Sequence, residues 1–178
     1  RRTFFRRERI MPHIRKNTST EIRLKVAVFV EHGGKLLLIR EYHEGKKRYL
    51  WNTVKGSFEP RSDKDFIATG RRESFEETRA RVKITSLFSV LYTFKHEIAF
   101  VQVNLIAKLI GKKFAVPPYK EQQKFGEDIV EARLFTRAEL EKMTSREFMG
   151  KRTVFVIREW LRRAPRYDLG MLKTIRQL

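Results

Sequence analysis

The chain contains no cysteine. Disulfide scaffolds, thiolate zinc sites and cysteine nucleophiles are therefore excluded. Histidine is scarce: His13, His32, His43 and His96 are scattered, with no metal-ligand spacing. No apolar run approaches the ~20 residues that a membrane-spanning helix needs. Residues 1–20 lack the apolar h-region of a secretory signal. The expectation is an intracellular protein, cytoplasmic or in an organelle matrix, neither secreted nor membrane-bound. Acids are in short supply as well: 40 Lys and Arg stand against 21 Asp and Glu, a formal charge of +19. Such a surface attracts phosphate, nucleic acid or anionic lipid unless salt screens it. With 41% hydrophobic residues over 178 positions, one domain with a real core is expected, and chain-wide disorder is excluded.

Three parts are expected: a basic arm over residues 1–20, a folded domain over 21–164 and a basic tail over 165–178. Seven of the first twenty residues are Lys or Arg, and only Glu8 is acidic. The arm reads as a solvated tail or targeting segment, or as a segment ordered on RNA or protein. Phe4 and Phe5 between arginines favour a partner. From Ile22 to Val30 the period is two, which predicts a strand. His32-Gly33-Gly34 predicts a hairpin turn and Lys35 to Arg40 a second strand. Glu41 to Arg48 is polar and reads as a loop. A helix is predicted from about Asp65 to Arg79, capped by Ser62 or Asp63, with Phe66, Ile67 and Phe75 on its apolar face. Strands are predicted over 82–91, 98–110 and 129–135, with a long basic loop over 111–125. Thr136-Arg137-Ala138-Glu139 is a capping box that opens a helix. A last helix runs over 153–163, with Val154, Ile157 and Leu161 on one side. Strands with interposed helices predict an α/β or α+β domain.

The informative segment is Gly56 to Arg79, GSFEPRSDKDFIATGRRESFEETR. Glu73, Glu76 and Glu77 lie at i, i+3 and i+4, one face of a helix within about a turn. Three carboxylates so close repel one another, and nothing in a helix requires them. A hard divalent cation, Mg²⁺ or Mn²⁺, would relieve the repulsion, because such ions prefer oxygen ligands. Neutralisation by Arg71, Arg72 and Arg79 is the alternative.

Arg72-Glu73-Ser74-Phe75-Glu76-Glu77-Thr78-Arg79-Ala80 is similar to the R-E-U-x-E-E-x-G-U end of the box that marks the Nudix hydrolase family, where U is apolar. Trp51-Asn52-Thr53-Val54-Lys55-Gly56 resembles the family's W-x-L-P-K-G, and Gly56-Ser57-Phe58-Glu59-Pro60 its G-x-x-E-P. The likeness covers about residues 22–163. It implies a Nudix-type α/β/α sandwich, with a mixed sheet between helices. It also implies a Mg²⁺-dependent pyrophosphohydrolase acting on nucleoside diphosphate-linked compounds: nucleotides, dinucleoside polyphosphates or 5′-phosphorylated RNA ends. By this resemblance Glu73, Glu76 and Glu77 hold the metal with the Gly56 carbonyl, and Arg72 braces the loop. Glu127, Asp128 and Glu131 are the candidates for a carboxylate from a later loop. Lys55 is a candidate phosphate contact.

Four departures accompany the likeness. Gly56 to Arg72 is two residues longer than the box. Its loop glutamate falls on Lys64, so Asp63 or Asp65 must serve. Arg79 stands where the family has glycine, and Ser74 where an apolar residue is expected. Together with the charge, these departures support an alternative, a catalytically weak or inactive Nudix-fold RNA-binding or ribonucleoprotein subunit. A homodimer is a further possibility that the resemblance carries.

Overall fold

The computed structural model describes residues 21–95 and 98–173. The basic arm and residues 174–178 lie outside them. Seven strands form one mixed sheet: β1 (Glu21–His32), β2 (Lys35–His43), β3 (Arg48–Asn52), β4 (Val54–Ser57), β5 (Val82–Lys95), β6 (Ile98–Leu109) and β7 (Ile129–Phe135). Their order is β3-β2-β1-β6-β5, with β4 paired to β1 and β7 to β2. Among the described strands, only β1 and β6 pair in parallel. The helices are α1 (Phe66–Thr78), α2 (Tyr119–Gln122), α3 (Arg137–Lys142) and α4 (Lys151–Leu161). Among the described residues no helix is long and apolar enough to cross a membrane.

Strand β1 is covered on both faces, which is why its centre is an unbroken apolar run. Val26, Val28 and Val30 enter one core with Leu105, beneath α1. Phe29 enters the other with Leu38, Phe135, Ile157 and Trp160, beneath α4. Gly33 and Gly34 have φ of +56° and +75°, as a two-residue hairpin turn matching strand twist requires. Beyond this turn β1 and β2 pair only at Glu31–Leu36 and His32–Lys35. From Lys25 to Val28, β1 pairs with β4 instead. Strand β4 thereby lies beside the central strand and against the acidic helix.

Several local expectations change. Strand β2 continues through Glu41 to His43, so the polar stretch after Arg40 is only partly loop. Asp65, not Ser62 or Asp63, caps α1, its carboxylate accepting from the Ala68 N–H at 2.7 Å. Phe75 is exposed rather than core-facing. The buried face of α1 is Thr69, Gly70, Glu73, Ser74, Glu77 and Thr78. This helix sits too close to the sheet for large side chains. A Cβ on Gly70 would lie 3.1 Å from Val28 and 3.2 Å from Leu105. Ser74 occupies the expected apolar position because its hydroxyl donates to the Gly70 carbonyl at 2.7 Å, leaving no orphan donor.

Helix α4 buries Val156, Ile157 and Trp160, while Val154 and Leu161 are only half-buried. The long basic loop contains α2, fixed by the buried Gln122 side chain. That amide donates to the Pro117 and Ile129 carbonyls and accepts from the Ile129 N–H. Past α4, Tyr167 exchanges backbone hydrogen bonds with Leu87 at 2.8 and 2.9 Å, so residues just beyond 164 pack on β5.

Candidate active site

The acidic helix, strand β4 and the end of the α2 loop meet around a cleft of about 310 Å³. Glu73, Glu76 and Arg72 come from α1, Gly56 and Ser57 from β4, and Lys25 from β1. Lys124 and Glu127 close it from the loop.

Arg72 is the hub. Its Nε and Nη2 form a fork on Asp63, both at 2.9 Å, and Nη2 also donates to the Ser57 carbonyl at 3.0 Å. Nη1 lies 2.8 Å from both Glu73 and Glu76. The Asp63 carboxylate accepts further from the Glu59 N–H and the Thr69 hydroxyl, each at 3.0 Å. The Arg72 hydrogen bonds hold its pKa below the usual carboxylate range, despite burial. Asp63 thus takes the loop-bracing position that the lengthened box leaves to Lys64, and Asp65 is committed to the helix cap.

The Glu73 carboxyl lies against Gly56. A Cβ on that glycine would stand 1.9 Å from the carboxyl carbon, so only glycine leaves it a seat. Burial, opposed by Arg72 and reinforced by Glu76, raises the Glu73 pKa to about 7. Glu77 is 2% exposed and accepts the Lys55 N–H at 3.1 Å. Burial, then Glu127, Glu41 and Glu73, push its pKa well up. Glu127 is raised too, first by burial and then by Glu41. Four acids, Glu59, Glu73, Glu76 and Glu127, line the cleft against three cations, Lys25, Arg72 and Lys124, so its formal charge is negative. Gly56→Ala is expected to displace Glu73 and cost about 1–3 kcal/mol of stability by overpacking. Urea unfolding of the variant checks this.

The remaining candidates separate. Asp128 accepts from the Tyr49 hydroxyl at 3.2 Å. Glu131 sits 3.7 Å from Arg40, both half in solvent. Of the three later-loop acids, Glu127 alone is among the residues lining the cleft. Lys55 Nζ is 3.6 Å from Glu41, and the lysines lining the cleft are Lys25 and Lys124. Glu41 and Lys25 went unnoticed in the sequence. A bulge between Arg40 and Glu41 re-aims the strand there. Continuing the Leu37, Ile39 alternation to Glu41 was the available signal. Among the described residues no three acidic or histidine side chains close around one point fit for an ion, because Glu73 and Glu76 turn to Arg72 and Glu77 to Lys55.

A family profile described as the NUDIX domain matches residues 21–155. The chain belongs to the Nudix hydrolase family. Its mixed sheet with flanking helices is the Nudix fold. A NUDIX hydrolase from Nitrosomonas europaea superposes with a TM-score of 0.70 at 18% identity, covering 87% of this chain and 98% of that one. The NUDIX domain of Shewanella oneidensis NrtR, complexed with ADP ribose, gives 0.60 at 14% identity over 83% and 90%. A structure described as an ADP compounds hydrolase gives 0.58 at 19% identity over 79% and 73%. No curated protein matches by sequence.

Arg79 departs from the family's glycine and ends α1 at φ +52°, the left-handed region that glycine enters without a steric penalty. Its guanidinium pairs with Glu121 and lies 5.2 Å from the Phe75 ring centre. The pair is partly exposed and contributes little. Arg79→Gly is expected to raise stability by up to about 1 kcal/mol, read as a higher urea midpoint.

Proposed function

We propose that this Nudix protein is a Mg²⁺- or Mn²⁺-dependent pyrophosphohydrolase. Its substrates would be nucleoside diphosphate-linked: a nucleotide, a dinucleoside polyphosphate or a 5′-phosphorylated RNA end. The observation that carries this is the charge surplus of the cleft. Glu59, Glu73, Glu76 and Glu127 line it against Lys25, Arg72 and Lys124, with the buried Glu77 on the same helix face, so its donors are hard oxygens. That donor set fits a divalent cation. Glu73, Glu76 and Glu77, with the Gly56 carbonyl, are the residues that would hold it. Releasing Glu73 and Glu76 frees only Nη1 of Arg72, while the fork on Asp63 keeps the guanidinium in place. Held there, such an ion would neutralise phosphate charge and lower the pKa of a bound water.

The chain's own groups supply the rest. Lys25 and Lys124 line the same cleft and are placed to bind the diphosphate. Glu127, which lines the cleft and whose pKa burial raises, takes the proton from the attacking water. The water oxygen bonds to one phosphorus, the bridging P–O bond breaks, and the leaving phosphate departs with the electron pair. ADP ribose, seen with the Shewanella domain, is a suitable first probe.

The contact of Arg72 Nη1 with two of the three box glutamates favours a second role, RNA binding with little catalysis. One experiment separates them. The protein is mixed with Mg²⁺ and ADP ribose, a nucleotide panel or triphosphorylated RNA, and released phosphate products are measured. Turnover that falls about 100-fold or more in Glu76→Gln supports the hydrolase, since even outer-shell changes at metal sites cost 10–100-fold. No turnover with any substrate, alongside salt-sensitive RNA binding, supports the second role.

A further inference from the structure

We propose that a basic groove on the α4 side of the sheet is the track for a single-stranded polynucleotide whose 5′ end reaches the acidic cleft. The placement of the end rests on the hydrolase function above; the groove does not. Two hollows adjoin. One, of about 430 Å³, lies among Lys46, Ser145, Lys151, Phe155 and Arg158. The other, of about 470 Å³, lies among Arg48, Tyr49, Trp51 and Arg146. They adjoin where Ser145 meets Arg146, and again where Lys46 approaches Arg48.

Charge defines the occupant. Among the described residues, none of Lys46, Arg48, Arg146, Lys151 and Arg158 has a carboxylate partner within 4.0 Å. Arg48 and Arg158 are held by backbone carbonyls instead, those of Arg146 at 2.9 Å and Met143 at 2.8 Å. Contacts to neutral carbonyls orient a guanidinium without cancelling its charge. The acid lining these hollows, Glu147, is spent on its own helical turn, accepting from the Thr144 N–H at 2.7 Å. Such a surface fits a run of phosphates.

Aromatic placement narrows the class. Phe155 is 52% exposed between the cations of α4. Tyr42 and Tyr49 form an edge-to-face pair, with Tyr42 38% exposed. Unstacked bases stack on such rings, whereas a duplex keeps its bases covered. The groove also leads to the chemistry. The Tyr49 hydroxyl donates to Asp128 at 3.2 Å, and the preceding residue, Glu127, lines the cleft.

The test uses the full chain and a 3′-labelled, 5′-phosphorylated RNA of about 12 nucleotides, within the span of known single-strand sites. Binding is read by fluorescence anisotropy across a salt series. The triple variant Lys46→Glu/Arg146→Glu/Lys151→Glu is expected to weaken binding at least about tenfold and to flatten the salt slope by about 2. Phe155→Ala is expected to weaken it about fivefold or more. A control with the same charge change on β5, β6 and the following loop, Lys83→Glu/Lys108→Glu/Lys113→Glu, is expected to lose much less. ADP ribose turnover stays at the parent level in all three, which also certifies folding. Equal losses in both triple variants, no loss with Phe155→Ala, or duplex RNA bound as tightly as the single strand overturns the proposal. Groove-dependent binding to anionic phosphatidylserine vesicles without RNA binding overturns it as well. Should the parent hydrolyse nothing, the hydrolase function fails while the anisotropy still decides the groove.

Discussion

Asp63→Ala is expected to destabilise the protein by about 1–3 kcal/mol, the cost of leaving the Arg72 fork, the Glu59 N–H and the Thr69 hydroxyl without their acceptor. Asp63 is 7% exposed and receives both prongs of the Arg72 fork, the Glu59 N–H and the Thr69 hydroxyl. Removing it leaves Arg72 to Glu73, Glu76 and the Ser57 carbonyl. It also frees the loop between β4 and α1, whose register depends on the Glu59 contact. Urea unfolding reads the loss directly. Lys64→Ala, one residue away and exposed, is expected to change stability by less than about 0.5 kcal/mol. A small effect at Asp63 would mean that the lengthened loop is braced by something else.

The second large effect is a dependence of stability on pH that runs opposite to the usual acid denaturation. Glu73 titrates at about 7 in the folded chain against 4.5 when unfolded. Below pH 4.5 both states hold the proton and the group contributes nothing to the slope. Between 4.5 and 7 the unfolded chain releases the proton while the folded chain keeps it. The unfolded state then binds fewer protons, so stability falls as pH rises. The upward shift corresponds to about 3 kcal/mol lost by pH 8. Glu77 and Glu127 are shifted the same way and add to the fall. Thermal unfolding in the presence of a chelator, from pH 5 to pH 8, is expected to show a declining midpoint. Glu73→Gln flattens the profile, because the amide has no proton to lose. Mg²⁺ restores the parent's midpoint at pH 8. A midpoint that rises across this window would show that the glutamates are adequately neutralised by arginine.

Strands β1, β2, β5, β6 and β7 were legible in the sequence because alternation and turn chemistry agree there, whereas β3 and β4 were not read as strands. Gly33-Gly34 marks a turn that needs two positive φ angles, and β7 matches its expected limits at Ile129 and Phe135. The capping box at Thr136 and Glu139 forms as its spacing predicts. Helix α1 was harder to orient. Its apolar residues suggested a core face through Phe75, yet the helix approaches the sheet through Gly70 and Ser74, and close approach favours small residues over large ones. The helix cap, expected at Ser62 or Asp63, was likewise a tertiary matter. Arg72 claims Asp63, which leaves Asp65 to the Ala68 N–H. At the site, the box residues were legible as a helical face. Glu127 could not be separated from Asp128 and Glu131 until the Gln122 clamp and the Tyr49 hydroxyl placed their neighbours. The neighbour of Lys55 was hidden for a similar reason, since Glu41 lies in a strand that the polar stretch after Arg40 concealed.

The central claim is that the acids of α1 exist to hold a hard dication beside a diphosphate. Calorimetric titration of Mn²⁺ into the chain at neutral pH tests it most directly, because it needs no knowledge of the substrate. Saturable binding that is lost in Glu73→Gln and Glu76→Gln, and that releases protons as Glu73 gives up its own, is the expected result. Absence of binding, or binding unchanged in both variants, would contradict the claim and leave Arg72 as the cation these acids were arranged to meet.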